Sequence, residues 1–444
     1  MQQQPRLPLW FMVVNWALIL SAFVFGSYLG GKRAGTLPDP QATALKIVYQ
    51  EVLKSHIEPP DQHELLERAI SGMVDGLDEY SRYIPPVEVP DYDERSSGNY
   101  EGIGAKMVTH EDTIVVHYPF PGGPAEKAGI KPGDLILAVD GTEMVDAEAR
   151  SKAVELIRGP ANSLVTLLID RNGEELEIKV PRSSVQRPCI KWPHYFDKEN
   201  GLAYLYLTDF HPTSAEQAFK AMEAFEAQGD LRGLILDLRY NGGGSLDQCL
   251  SIARAFLTEG IIATQKHRNG PDEVYDTVPA ECRWPDLPLV LIVNENSASA
   301  SEVLSGALQD HRRALIVGMR THGKGYVNTV YSWKNHDFKL KLTTGSYRTP
   351  NGRNIERNQT TKITSADKDE GGIRPDVKVD ATREEQQMMI KVLRSSIEPP
   401  QQFGEEYAAV AKRYNFEVER PPIPAQDPQF AAAIEALRKR IEGK

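Results

Sequence analysis

Cysteine is scarce: the 444 residues hold three, Cys189, Cys249 and Cys282, widely spaced and without a C-x-x-C pair. That excludes the paired-thiolate zinc patterns and leaves room for at most one internal disulfide, so a lone cysteine here reads as a small buried apolar residue. Basic residues are outnumbered, 51 Lys and Arg against 62 Asp and Glu, for a net charge of -11. A surface that neutralises phosphates needs the opposite balance, which sets nucleic acid aside as a partner. Long apolar runs are missing but for one, and no internal repeat is evident. With 41% hydrophobic and 25% charged residues, neither wholesale disorder nor a polytopic membrane protein is indicated.

The one long run, residues 7–31, LPLWFMVVNWALILSAFVFGSYLGG, carries no charge and suffices to cross a bilayer as a helix. It lacks the shorter apolar core and A-x-A-like exit of a cleaved signal peptide, so residues 1–33 read first as a membrane anchor and second as a signal. Flanking charge does not fix orientation. Lys32 and Arg33 outnumber Arg6, which by simple count favours a cytoplasmic downstream side. The chain exceeds what one core holds, so two or three folded units are expected.

In residues 34–96, apolar positions recur every three or four residues, from Ala44, Ile47, Val48 and Val52 to Leu65, Leu66, Ala69, Ile70, Met73 and Leu77. This predicts two amphipathic helices broken at IEPPDQ, 57–62. Residues 97–184 alternate in short stretches, TIVVHY, LVTLLID and ELEIKV, around Gly- and Pro-rich turns and one helical segment, a small β-rich module. From 185 to 380, the apolar strands LAYLYL, LRGLILDLR, LPLVLIVN and ALIVG alternate with helical stretches near 213–228, 246–258 and 299–309. That alternation predicts an α/β core, a mainly parallel sheet with helices on both faces. Residues 381–444 return to helix with Pro-rich breaks.

Three turns of this core carry the chemistry, each placed where a predicted strand ends, the side on which open α/β sheets bind ligands. Asn296-Ser297-Ala298-Ser299-Ala300-Ser301-Glu302 puts small residues at a strand-to-helix turn, where a serine hydroxyl can face a substrate and free helix N–H groups can hold an oxyanion. The same residues make a helix cap, Ser-x-x-Glu included. Gly323-Lys324-Gly325 sets a lysine between two residues that leave it open, and burial would lower its pKa toward that of a base at neutral pH. Gly318 to Lys324 also fits the phosphate-loop pattern G-x-x-x-x-G-K, but Gly325 stands where Ser or Thr should hold magnesium. Asp237-Leu238-Arg239-Tyr240-Asn241-Gly242-Gly243-Gly244 closes its strand on three glycines whose backbone can approach a ligand closely. His63-Glu64-Leu65-Leu66-Glu67 lacks the second histidine of a zinc-protease helix and reads as a solvated face.

Taken together, N-S-A-S-A-S-E, then G-K-G, with D-L-R-x-N-x-G-G upstream, resemble the C-terminal processing (tail-specific) protease family in order and spacing. The resemblance implies Ser299 as nucleophile, Lys324, 25 positions on, as its base, and the N–H groups of Gly243 and Ala300 as the oxyanion hole. Tyr100-Glu101-Gly102-Ile103-Gly104 with GPAEKAGIKPGDLILAVDGT (123–142) is similar to the PDZ domains of these proteases. Gly102, Ile103 and Gly104 would then receive a peptide's C-terminal carboxylate on backbone N–H groups. Residues 72–81 and 349–376 resemble the segments before the PDZ domain and returning to the protease sheet. Asn328 stands where the family usually has a glutamine that holds the lysine, and His322 where it usually has Phe.

With the apolar run as a membrane anchor or signal at 1–33 and helix with Pro-rich breaks as an extension at 381–444, the resemblance implies between them a helical segment at 34–96, a PDZ domain inserted at 97–184 and a Ser–Lys protease core at 185–380. It implies an endopeptidase of the bacterial inner membrane, single-pass, its soluble part on the periplasmic or extracytoplasmic side, cutting proteins with exposed C-terminal tails without metal or nucleotide. A membrane-tethered PDZ scaffold that binds tails without cutting them is the alternative, supported by Asn328. The sequence leaves a homo-oligomer open.

Overall fold

The computed structural model describes residues 39–268, 270–357, 371–395, 401–414 and 426–443. The apolar run at 7–31 lies outside the described residues, and among the described residues no helix is long and apolar enough to cross a membrane. The chain divides into two compact units, residues 1–73 and 74–444. The first holds helix Asp39–Ser55 and all but the end of helix Gln62–Asp75. Their periodicity is as expected, but the apolar positions are not enclosed: Leu45, Ile47, Val48 and Leu66 are exposed.

The second unit is built on a six-stranded sheet. Strand Ile190–Asp197 pairs antiparallel at one edge, and Leu202–Leu207, Gly233–Asp237, Leu289–Val293, Leu315–Gly318 and Val377–Lys378 follow in parallel. These inner strands are near-continuous apolar runs because both faces are covered. Along Leu289–Val293 the side chains alternate. Leu289, Leu291 and Val293 pack in a cluster with Met222, Ile252 and Leu304 from helices Ser214–Gln228, Leu246–Phe256 and Ala300–Asp310. Val290 and Ile292 join a second cluster with Phe430, Ala433 and Leu437 of the final helix, Pro428–Ile441. Phe430 and Leu437 are buried, each contributing about 2–3 kcal/mol. The C-terminal extension therefore completes the core. Parallel strands deliver their carboxyl ends, and the turns after them, to one end of the sheet.

A second, antiparallel sheet joins Arg82–Ile84, Lys339–Arg348, Ile261–His267 and Glu273–Asp276, with Tyr326–Ser332 paired along Lys339–Arg348. The β-rich module has its own antiparallel sheet, in spatial order Ala105–His110, Thr113–Pro119, Leu135–Val139, Leu164–Arg171 and Glu174–Pro181, and its own core of Val116, Ile136, Leu167, Ile169 and Val180. Its entry and exit pair with each other, Asn99–Gly102 against Ser183–Gln186, which closes the module as an insertion. Helix Gly404–Arg413 packs on this module through Tyr407, Val410 and Ala411, all buried, with the Tyr407 ring 5.5 Å from that of His117 and 6.3 Å from Tyr118. The three cysteines are free, Cys189 and Cys249 buried and Cys282 partly so.

Candidate active site

Each of the three turns sits at the carboxyl end of a parallel strand. In the first, after Gly233–Asp237, Asn241 ties the chain together. Its Nδ2 donates to the Leu207 carbonyl at 2.9 Å, its Oδ1 accepts from the Gly243 N–H at 2.9 Å, and its carbonyl accepts from the Ala298 N–H at 3.0 Å and Ser301 Oγ at 2.9 Å. Gly243 is left-handed, with φ 96°, and lies against the serine turn. A Cβ there would meet the Ala298 carbonyl oxygen at 2.7 Å, Ser299 Cβ at 2.8 Å and Ala300 N at 2.9 Å. Only glycine lets the two turns come this close.

In the second turn, after Leu289–Val293, Ser299 is half-buried with φ 56° and ψ −116°, a conformation that costs a non-glycine residue on the order of 1–3 kcal/mol. Such strain is what a sharp strand-to-helix turn pays to present a nucleophile. Helix Ala300–Asp310 begins at the next residue, so Ser299 is its N-cap, as the Ser-x-x-Glu reading of this stretch expected. Ser297 anchors the turn from beneath, its Oγ donating to the Leu238 carbonyl at 2.8 Å.

The third turn follows Leu315–Gly318. Glu302, fully buried, accepts from Thr321 Oγ1 and the Gly323 N–H on Oε1, both at 2.6 Å, and from the N–H groups of Lys324 and Ser299 on Oε2, at 2.8 and 2.9 Å. Burial raises this carboxyl's pKa, and the four donors work against that rise. Lys324 is half-buried, and desolvation lowers its pKa below the ordinary lysine value, opposed by the carboxylates of Glu356, Glu302 and Glu79. Its Nζ lies over the Tyr80 ring, 4.9 Å from the centroid. No hydrogen bond joins Nζ to Ser299 Oγ among the described residues. His322 is exposed to solvent.

Ser299, Lys324, Gly243 and Ala300 are thus brought together, with the Gly243 N–H engaged by Asn241. Asn328 is not on Lys324. Its Nδ2 donates to Thr343 Oγ1 at 3.1 Å, and that hydroxyl donates to Asp78 Oδ1 at 3.0 Å. Asp78 in turn accepts from the N–H groups of Tyr80 and Ser81, at 2.8 and 2.7 Å, and so holds the turn that covers the lysine. Sequence reasoning passed over Tyr80, Asp78 and the hub role of Glu302. Their signal was the stretch GMVDGLDEYS and the glutamate three places after Ser299. In the β-rich module, Gly102, Ile103 and Gly104 are buried, Gly104 with φ 69°. The loop is fixed by its carbonyls, Ile103 O accepting from the Ala125 N–H and Gly104 O from the Phe120 N–H, each at 2.8 Å. It leads into Ala105–His110, an edge strand of the module's sheet.

Residues 201–379 match peptidase family S41, and residues 115–171 match a PDZ domain. A carboxy-terminal-processing protease of Bartonella bacilliformis is 34% identical over 314 residues, which cover 70% of this chain and 71% of that one. The chain belongs to peptidase family S41. Over a longer span, the carboxy-terminal processing protease CtpA of Bacillus subtilis is 29% identical across 426 residues, covering 92% of this chain and 90% of its own. A probable CtpA-like serine protease of Staphylococcus aureus is 31% identical over 377 residues, covering 84% and 71%. The S41 match spans all three turns, and the PDZ match lies within the β-rich module.

Proposed function

We propose that the chain is a serine endopeptidase in which Ser299 is the nucleophile and Lys324 its base. The neutral lysine amine takes the Ser299 hydroxyl proton as Oγ attacks the scissile carbonyl. The oxyanion that forms is held by the N–H groups of Gly243 and Ala300, each such donor lowering the barrier by on the order of 3 kcal/mol. Lys324 then passes the proton to the leaving amine, and water releases the acyl group from Oγ by the same path in reverse. Two movements precede the chemistry: the lysine amine leaves the Tyr80 face for Oγ, and the Gly243 N–H leaves Asn241 for the oxyanion. No metal or nucleotide enters any step.

The observation that carries this reading is Glu302, whose carboxylate holds the serine and lysine turns together while Gly243 closes against Ala300. Substrates are proteins with exposed C-terminal tails, whose free carboxylate the N–H groups of Gly102 to Gly104 receive and whose strand pairs along the open edge of Ala105–His110. The uncharged run at 7–31 supports a single membrane anchor, and the family resemblance, against the count of flanking charges, supports a soluble part on the extracytoplasmic side of a bacterial inner membrane.

The test is cleavage of an unfolded reporter ending in an apolar C-terminal tail, by wild type, Ser299→Ala and Lys324→Ala. Both substitutions are expected to abolish cutting while tail binding persists. Cutting retained by either variant would sink the dyad, and tail binding by a wild type that never cuts would favour the tethered scaffold.

A further inference from the structure

Arg239, four residues before Gly243, is enclosed completely, with 1% of its surface exposed. Its guanidinium is clamped from two sides. Nε donates to both oxygens of Asp237, at 3.1 and 3.0 Å, and Nη2 to Asp237 Oδ2 at 2.6 Å. On the opposite side, Nη1 and Nη2 donate in bidentate fashion to Asp427 Oδ1 and Oδ2, at 2.9 and 2.7 Å, and Nη1 also reaches Gln429 Oε1 at 3.2 Å. Asp427 is 188 residues away in sequence, the cap of the final helix, where Oδ1 also accepts from the Phe430 N–H at 3.0 Å. Gln429 Nε2 donates to the Val379 carbonyl, which ties the same helix start to the end of the last parallel strand.

We infer that Asp427 and the final helix form a positioning device for the oxyanion turn. The inference rests on the proposed role of the Gly243 N–H. A buried arginine between two carboxylates is a weak source of stability, because desolvation of three charges offsets their attraction. What the arrangement does supply is fixed position. The fork allows the guanidinium one plane and one depth, and the backbone that leaves Arg239 runs directly into Tyr240, at φ 59°, and Asn241, whose side chain and carbonyl hold Gly243, Ala298 and Ser301. With Asp427 neutral, Arg239 loses half its fork and can tilt toward Asp237. Asn241 and Gly243 shift with it, and a displacement of about 1 Å at a catalytic group costs on the order of a hundredfold in rate. A helix cap alone would do none of this. It would set stability and leave turnover untouched.

The experiment compares the full chain with Asp427→Asn, Gln429→Met and Leu437→Ala. Leu437 is buried further along the same helix and is not among the groups that hold the Arg239 guanidinium, so its truncation weakens the helix and leaves the fork's partners in place. Two readouts are taken well below every unfolding transition. The first is amide hydrogen exchange in the segment 238–245, which needs no proteolysis. Asp427→Asn is expected to speed exchange there at least tenfold and Gln429→Met about threefold, with Leu437→Ala unchanged. The second is reporter cleavage, where Asp427→Asn is expected to lower kcat at least tenfold with KM within twofold and Leu437→Ala to leave kcat as it was. Equal exchange in Asp427→Asn and Leu437→Ala overturns the inference, as does a loss that lies wholly in KM. If Asp427→Asn does not fold, Gln429→Met decides on the same two readouts, and wild-type exchange and kcat in it overturn the inference. Failure of the protease reading shows separately, as a wild type no more active than Ser299→Ala, and the exchange result still judges the clamp.

Discussion

The backbone N–H groups of Ser299 and Lys324 donate to one and the same oxygen, Glu302 Oε2, at 2.9 and 2.8 Å. Two turns from different strands are thereby fixed to a common point. The carboxylate sits one helical turn into Ala300–Asp310, so the helix that caps on Ser299 also carries the group that places the lysine loop. Among the described residues four donors and no acceptor bond to it, a setting that suits the ionised form although burial opposes it.

Glu302→Gln tests this directly. The amide keeps the shape but offers one acceptor oxygen where two served four donors, and its NH2 faces N–H groups it cannot pair with. Activity on the tail reporter should fall on the order of a hundredfold, since both turns loosen at once. Thermal stability should also fall, by about 1–3 kcal/mol for each buried donor left unmade. A variant that loses stability yet keeps wild-type kcat would remove Glu302 from the positioning of the dyad.

Lys324 sets the pH dependence. As the proposed base it must be neutral, and desolvation has already moved its pKa below 10.5. Activity should therefore rise with pH along a limb whose midpoint lies below that value. The Tyr80 ring face favours the charged amine, by about 0.5–1 kcal/mol at a partly open site. Tyr80→Leu keeps the bulk and removes the π face, so the lysine pKa drops and the limb should move to lower pH by about half a unit. Tyr80→Phe, which keeps the face, should leave the limb in place. A limb that is the same in Leu, Phe and wild type would mean the ring does not act on the base.

Much of this site was legible because strand ends and glycines mark it. Leu289–Val293 and Gly233–Asp237 read as buried strands from unbroken apolar runs, and the turns after them stood out through Asn-Ser-Ala-Ser and Gly-Gly-Gly. The second sheet was not legible. In Tyr326–Ser332 and Lys339–Arg348, polar and charged residues interrupt the apolar ones and most positions are only half-buried, so no long run announces a strand. Tyr80 and Asp427 were invisible for another reason. Each acts on a partner far along the chain, Tyr80 on Lys324 and Asp427 on Arg239, 188 residues away, and no local period encodes a contact that only the folded topology makes. Asn328 shows the same limit from the other side: its place in the sequence suggested the lysine, yet the register of its strand turns it toward Thr343.

His117 gives the contact between helix Gly404–Arg413 and the PDZ module an acid limit. Burial pushes the imidazole's pKa down to about 4, with Lys106 and His110 adding repulsion, while in the unfolded chain it titrates near 6.5. As pH falls through 6.5, the unfolded state takes up the proton first, so the contribution is intact above that pH and is lost progressively toward 4. By pH 4.5 the loss is roughly 2 kcal/mol. The Tyr407 ring packs 5.5 Å from the imidazole, so the helix that rests on His117 should loosen with it. His117→Phe keeps a ring against Tyr407 and removes the titration. Melting temperatures at pH 7 and pH 4.5 should fall more on acidification in wild type than in the variant, and hydrogen exchange in 404–413 should quicken at pH 4.5 in wild type alone once corrected for the intrinsic rate. Equal acid sensitivity in both proteins would place the titrating group elsewhere.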